Sequence, residues 1–197
     1  MKQLTVVFFG RTGSGKGTQA TLFMETLKKA DPSRRSIYVE TGERLRQFMT
    51  GGSYSADIVK KTLDDGKLLG AYLPIWIWTG LLIDEYTGNE HLVFDGVARR
   101  VEEAHILDSA MQLYSQGEKP KIIVLDVPEP EVKTRLLKRA RHDDEEEKIA
   151  KRLESYDTDI VRSIAYFEKS PTVDFFKIDG HQSVEAVHKD VLKALGI

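Results

Sequence analysis

Cysteine is absent from the 197 residues, which excludes disulfides and any zinc site built on thiolates. Net charge is almost absent as well: 29 Lys and Arg stand against 31 Asp and Glu, giving −2 and an isoelectric point near 6.2. No basic field gathers nucleic acid or an anionic membrane, so any attraction for phosphate has to be local. Long apolar runs are lacking; the Leu73–Ile83 stretch is interrupted by Pro74 and Gly80 and is too short to span a bilayer. The first residues show none of the charged, apolar and small-residue pattern of an export signal, and a soluble cytoplasmic protein is the expectation. Repeats and low-complexity linkers are missing too. The 41% of apolar residues suits one globular domain, residues 1–197.

What is there begins at Leu4–Phe9, a short apolar, β-branched and aromatic run. It leads into Gly10-Arg11-Thr12-Gly13-Ser14-Gly15-Lys16-Gly17-Thr18, and then Ala20, Leu22, Phe23 and Leu27 recur at helical spacing. Buried strand, glycine-rich turn, helix is the context of a phosphate-binding loop. Glycine lets phosphate oxygens approach the amides, which point inward at the positive end of the following helix. Lys16 adds a mobile positive charge, and the hydroxyl often found next to that lysine comes one residue later, at Thr18.

Four more segments read as strands: Ser36–Glu40, His91–Asp95, Lys121–Asp126 and Val173–Ile178. Helical patterns separate them, including an apolar one that carries Trp76 and Trp78 and ends near Tyr86. A long one after a charged break at Arg141–Asp144 has the stripe Ile149, Leu153, Tyr156, Ile160, Ile164 and Phe167, with Asp144 as its expected cap. Alternating strands and helices predict an α/β fold with a doubly wound parallel sheet. Ligands in such sheets bind beyond the carboxyl ends of the strands. Three groups fall there: the loop after strand one, Thr41–Arg46 after strand two, and Asp95–Arg99 after strand three.

Asp95 ends a buried strand, where a carboxylate supports Mg²⁺ directly or through water, although a turn-forming role before Gly96 fits equally well. Arg46 and Arg99 stand at strand ends, and Arg139, Arg141 and Arg152 flank the charged break. Phosphoryl transfer needs such groups to neutralise the moving charge, together with a flap that excludes water. Lys28, Lys29, Arg34 and Arg35 read as solvated charge. The five histidines, His91 among them, show no ligand spacing and read as surface or capping residues.

In order and at matching spacing, Gly10-x-x-Gly13-x-Gly15-Lys16-Gly17-Thr18, Thr41-Gly42-Glu43-x-x-Arg46, Gly66-x-Leu68-Leu69, Asp95-Gly96-x-x-Arg99, Arg135-Leu136-Leu137-Lys138-Arg139 and Lys151-Arg152-Leu153 resemble the adenylate kinase family of nucleoside monophosphate kinases over nearly the whole chain. The resemblance implies a P-loop NTPase-type parallel five-stranded sheet flanked by helices, a mobile monophosphate-binding segment at 41–69 and a short lid at 140–147. It implies the reaction MgATP + AMP to two ADP in a monomer. By matching position, Gly13, Ser14, Gly15, Lys16, Gly17 and Thr18 hold the ATP phosphates, Arg135 stacks near the ATP base, Arg139 binds its phosphates, and the backbone near Gln182 meets its adenine. Thr41, Arg46, Gly96 and Arg99 hold AMP, with Lys67, Leu68 and Leu69 lining its base pocket. Arg141 and Arg152 close on the phosphoryl group.

Departures from the family pattern are Thr12 and Ala98 for prolines, which loosens two turns, Glu43 for an aspartate, and Gly70-Ala71 for Pro-Asp. Glu103 stands where adenylate kinases carry a glutamine that reads the AMP base. An ionised carboxylate only accepts hydrogen bonds, which leaves GMP, or CMP and UMP, open as acceptors; a solvated Glu103 with no role in recognition is the plainer alternative. On the residues alone, a non-enzymatic nucleotide-binding module and a kinase for a non-nucleotide acceptor also stay open.

Overall fold

The computed structural model describes residues 1–139 and 146–197, Arg139 by its backbone alone. Strands β1 (Thr5–Gly10), β2 (Ser36–Glu40), β3 (His91–Asp95), β4 (Lys121–Asp126) and β5 (Asp174–Asp179) form one sheet in the order β2-β3-β1-β4-β5. All neighbours are parallel, with Val7 opposite Phe94 on one side and Ile122 on the other. The doubly wound sheet expected from the strand–helix alternation is the one observed.

Helices α1 (Lys16–Ala30), α2 (Thr41–Phe48), α3 (Tyr54–Asp64), α4 (Tyr72–Glu85), α5 (Val101–Tyr114), α6 (Glu129–Arg139), α7 (Glu146–Ser155), α8 (Val161–Lys169) and α9 (Val184–Leu195) connect and cover the strands. Strand side chains alternate between two faces. Val6, Phe8, Val93, Ile123 and Leu125 pack against Phe23 and Leu27 of α1 and Val187 and Val191 of α9. Val7, Phe9, Phe94, Ile122 and Val124 pack against Trp78, Leu107, Met111 and Phe167 of α4, α5 and α8.

Two smaller clusters sit apart from the sheet. Leu45, Val59, Leu69, Leu73 and Ile77 hold the residues around 41–69. Val132 and Leu136 of α6 meet Ile149 and Leu153 of α7. Side chains cap the helices at the first of these: Glu40 accepts from Glu43 N at 2.7 Å, and Ser53 from Ala56 N at 3.1 Å.

Four details differ from the sequence reading. The long helix after the charged break is divided by a wide turn with i→i+5 bonding at Tyr156–Ile160. Ser155 and Val161 on either side of it keep helical dihedrals, and the apolar stripe is kept, with Tyr156 and Phe167 buried and Ile160 and Ile164 half-buried. His91 is fully buried rather than at the surface. Its Nδ1 accepts from Leu4 N–H at 3.0 Å, and burial, with the Arg34 charge, holds its pKa down to about 4. Arg34 and Arg35 pair with Asp31 and Glu90 instead of being merely solvated. Ala98, expected to loosen its turn, holds a positive φ of 53° with no exposed surface. Proline cannot enter that region, so this turn differs in conformation from a proline turn.

Candidate active site

A cleft of about 890 Å³ opens over the carboxyl ends of β1, β2 and β3. On one side is the loop into α1. Gly13 has φ +87°, and a Cβ there would lie 2.9 Å from Leu136 Cγ and 3.1 Å from the Val132 carbonyl, so glycine seats the loop on α6. Gly15, at φ +96°, has nothing within 4 Å of its would-be Cβ and begins α1 with no side-chain cap. A helix start of this kind, with Lys16, Gly17 and Thr18 lining the cleft, can bind an anion. Lys16 Nζ reaches across the loop to the carbonyls of Gly10 and Arg11, 2.9 Å each. Gly13, Ser14, Gly15, Lys16, Gly17 and Thr18 all line the cleft.

Asp95, only 8% exposed, lies at its floor. The Tyr38 hydroxyl donates to Asp95 Oδ2 at 3.1 Å, and a Cβ on Gly17 would come within 3.2 Å of the same oxygen. Glycine at this position therefore leaves room beside the carboxylate. Among the described residues no three His, Cys, Asp or Glu side chains gather as a metal cage. One buried carboxylate beside a phosphate loop fits Mg²⁺ that arrives on nucleotide phosphates and keeps most of its waters.

Across the cleft stand two guanidinium groups. Arg46 pairs with Glu43 at 2.8 Å and lies 3.8 Å from Glu40; Gly42 permits this, since a Cβ there would meet Glu40 Oε1 at 2.7 Å. Arg99 donates from Nε to the Gly96 carbonyl at 3.0 Å. Both line the same cleft as the loop into α1, together with Lys67, Leu68 and Gly96. The cleft continues into a small side pocket walled by Thr41, Leu45, Leu63, Leu68, Leu69 and Pro74. Glu103 closes this pocket and is 2% exposed, so it is not a solvated helix residue. Its Oε2 accepts from Arg99 N at 3.2 Å, and burial raises its pKa to about 7.

Arg135 and Gln182 line the far end of the cleft. Arg135 is fixed by Glu131 at 2.9 Å and the Gly180 carbonyl at 3.2 Å, and Gln182 is held by the Asp179 carbonyl and Asp190. Arg152 lines it too, from α7. Arg141, the Arg139 side chain, the Asp144 cap and residues 140–145 of the lid expected at 140–147 lie outside the described residues, while Glu146 and Glu147 begin α7.

Three contributors escaped the sequence reading. Tyr38 supports Asp95, Glu40 caps α2 beside Arg46, and Arg100 donates to the Leu69 carbonyl at 3.1 Å and to Asp159 at 3.3 Å. Tyr38 and Glu40 were findable in principle, since both face one way on β2, which ends at Glu40; Arg100 carried no signal.

A phosphate loop and a second basic pocket sharing one crevice define a P-loop kinase with a nucleoside monophosphate as acceptor. The adenylate kinase family model matches residues 8–172. An adenylate kinase of Bacteroides fragilis is 31% identical over 205 aligned residues, covering 98% of each chain. One of Leptospira biflexa is 32% identical, covering 99% of this chain and all of the relative, and adenylate kinase 1 of Synechocystis is 32% identical, covering 95% of each. The chain belongs to the adenylate kinase family. With membership the non-enzymatic alternative falls, and GMP, CMP and UMP find no support as acceptors.

Proposed function

We propose that this chain catalyses MgATP + AMP to two ADP, reversibly, with the residues around 41–69 as the mobile AMP-binding segment and 140–147 as the lid. The observation that carries the reading is the placement of Arg46 and Arg99 opposite the loop into α1 within one cleft. An ATP-hydrolysing module has no use for that second set of cations.

The loop amides at 13–18 hold the ATP phosphates and Lys16 follows the transferring group. Arg135 and the backbone near Gln182 flank the ATP base. Thr41, Arg46, Gly96 and Arg99 hold AMP, with Lys67, Leu68, Leu69 and Glu103 around its base. Its phosphate is already an oxyanion, so the protein supplies alignment and charge neutralisation rather than a general base. Arg99, Arg139, Arg141 and Arg152 stabilise the charge spread over the moving phosphoryl group, and closure of segment and lid keeps water from intercepting it. Mg²⁺, supported near Asp95, supplies further neutralisation of the phosphates. The reading extends to a monomer working in the cytoplasm; no helix among the described residues is long and apolar enough to cross a membrane.

The test is purified protein with MgATP and each nucleoside monophosphate in turn. ADP formation that depends on AMP is expected, and absence of diphosphate with AMP overturns the reading.

A further inference from the structure

We infer that Glu103 reads the acceptor base as a neutral carboxylic acid, so that AMP binding is coupled to a proton held on this side chain. The inference rests on the reading of the side pocket as the AMP base site and adds its chemistry of recognition.

The pocket that Glu103 closes is walled mostly by Leu45, Leu63, Leu68, Leu69 and Pro74, a narrow apolar space of about 20 Å³ that has to widen to take a base. Besides Arg99, which also lines the pocket, two polar side chains break that surface. One is Thr41, whose buried hydroxyl has no hydrogen-bond partner. The other is Glu103, whose single hydrogen bond among the described residues is the one from Arg99 N to Oε2. A carboxyl group so placed has bonding capacity left for a ligand.

Protonation decides what it can recognise. Ionised, it accepts only; neutral, it has one O–H donor and remaining acceptor capacity. The adenine edge pairs an amino donor with a ring-nitrogen acceptor. A neutral acid satisfies both, whereas a carboxylate faces the ring nitrogen lone pair with a second lone pair. The surroundings favour the neutral form. The walls that α2, α3 and α4 contribute are apolar apart from Thr41. Burial raises the pKa to about 7, the Glu102 charge adds to this, and the Arg99 amide and the Arg99 and Arg100 charges oppose it. Near neutral pH the residue therefore divides between a form that matches adenine and one that does not.

The experiment is calorimetric AMP binding to the full-length protein at pH 7 to 9, in buffers of different ionisation enthalpy, for the wild type and Glu103→Gln. The AMP phosphate, with its second pKa of about 6, is dianionic throughout this range. In the wild type, Kd for AMP is expected to rise by up to about tenfold per pH unit above 7, with uptake approaching one proton per AMP at pH 8. The amide carries donor and acceptor at every pH, so Glu103→Gln is expected to lose both the slope and the uptake. A wild-type Kd that stays flat across the range, or a slope that survives in Glu103→Gln, overturns the inference. If the variant fails to fold, the wild-type slope and proton count decide alone. Flat binding with ADP still formed removes this inference and leaves the adenylate kinase reading standing; no AMP binding at any pH removes both.

Discussion

The Tyr38 hydroxyl donates to Asp95 Oδ2 at 3.1 Å, joining the middle of β2 to the carboxyl end of β3 beneath the start of α1. Burial first, and then the adjacent Asp95 charge, hold the phenol well above its ordinary pKa, so it remains a donor at every assay pH. The bond fixes one carboxylate oxygen beside Gly17. A hydrogen bond to a charged acceptor is worth about 1.5–3 kcal/mol. Tyr38→Phe is expected to raise the Mg²⁺ concentration for half-maximal activity by roughly tenfold, with the KM for ATP nearly unchanged. A Mg²⁺ titration identical to that of the wild type would show that Tyr38 does not position Asp95.

On the proposed reading, Arg99 separates acceptor chemistry from ATP binding. It lines the cleft on the acceptor side and is anchored by the Gly96 carbonyl. Removing a charge-assisted donor at a developing charge costs on the order of 10²–10³ in rate. Arg99→Ala is expected to lose that much in kcat/KM for AMP while ATP affinity stays within about twofold. Steady-state kinetics beside a direct ATP-binding measurement decide it, and unchanged turnover refutes the role.

Ala98 carries backbone strain one residue from Arg99, at φ 53° in a buried position. A left-handed conformation costs a residue with a Cβ roughly 1–2 kcal/mol. Ala98→Gly is expected to gain up to about 1 kcal/mol in denaturant unfolding. Ala98→Pro, whose ring demands φ near −65°, loses about 3 kcal/mol or more. A proline variant as stable as the wild type contradicts the turn described.

His91 makes the fold acid-sensitive. Its pKa of about 4 lies below the ordinary 6.5, so between these values the unfolded chain binds the proton and the folded chain does not. Stability from this residue is complete above about pH 6.5 and is lost as the pH falls towards 4. Glu103 acts in the opposite sense: raised from 4.5 to about 7, it loses stability as the pH rises through that window. The informative quantity is therefore the difference between wild type and His91→Asn, whose amide oxygen still accepts from Leu4. Thermal unfolding from pH 7 to 4 is expected to show the wild type falling more steeply; parallel curves refute the assignment.

Much of this arrangement was legible because strong local signals agree. The loop into α1 follows from glycines between a buried strand and a helix, and Arg46 and Arg99 from their places at strand ends. Burial was harder to read where distant elements create it. Glu103 looks like an ordinary acid in the first turn of α5, and only the closing of α2, the 66–71 connection and α4 over it makes a pocket. Trp76 and Trp78, two residues apart on α4, cannot both face inward; Trp78 is fully buried, and Trp76 is 59% exposed against Phe48. The wide turn at Tyr156–Ile160 left the apolar stripe intact and so gave no warning.

The fate of the γ-phosphoryl group tests the central claim most directly. With ATP labelled at that position, AMP and Mg²⁺, the account predicts that label moves to the β-phosphate of ADP formed from AMP, with little inorganic phosphate. Label released as inorganic phosphate at a rate indifferent to AMP would contradict it.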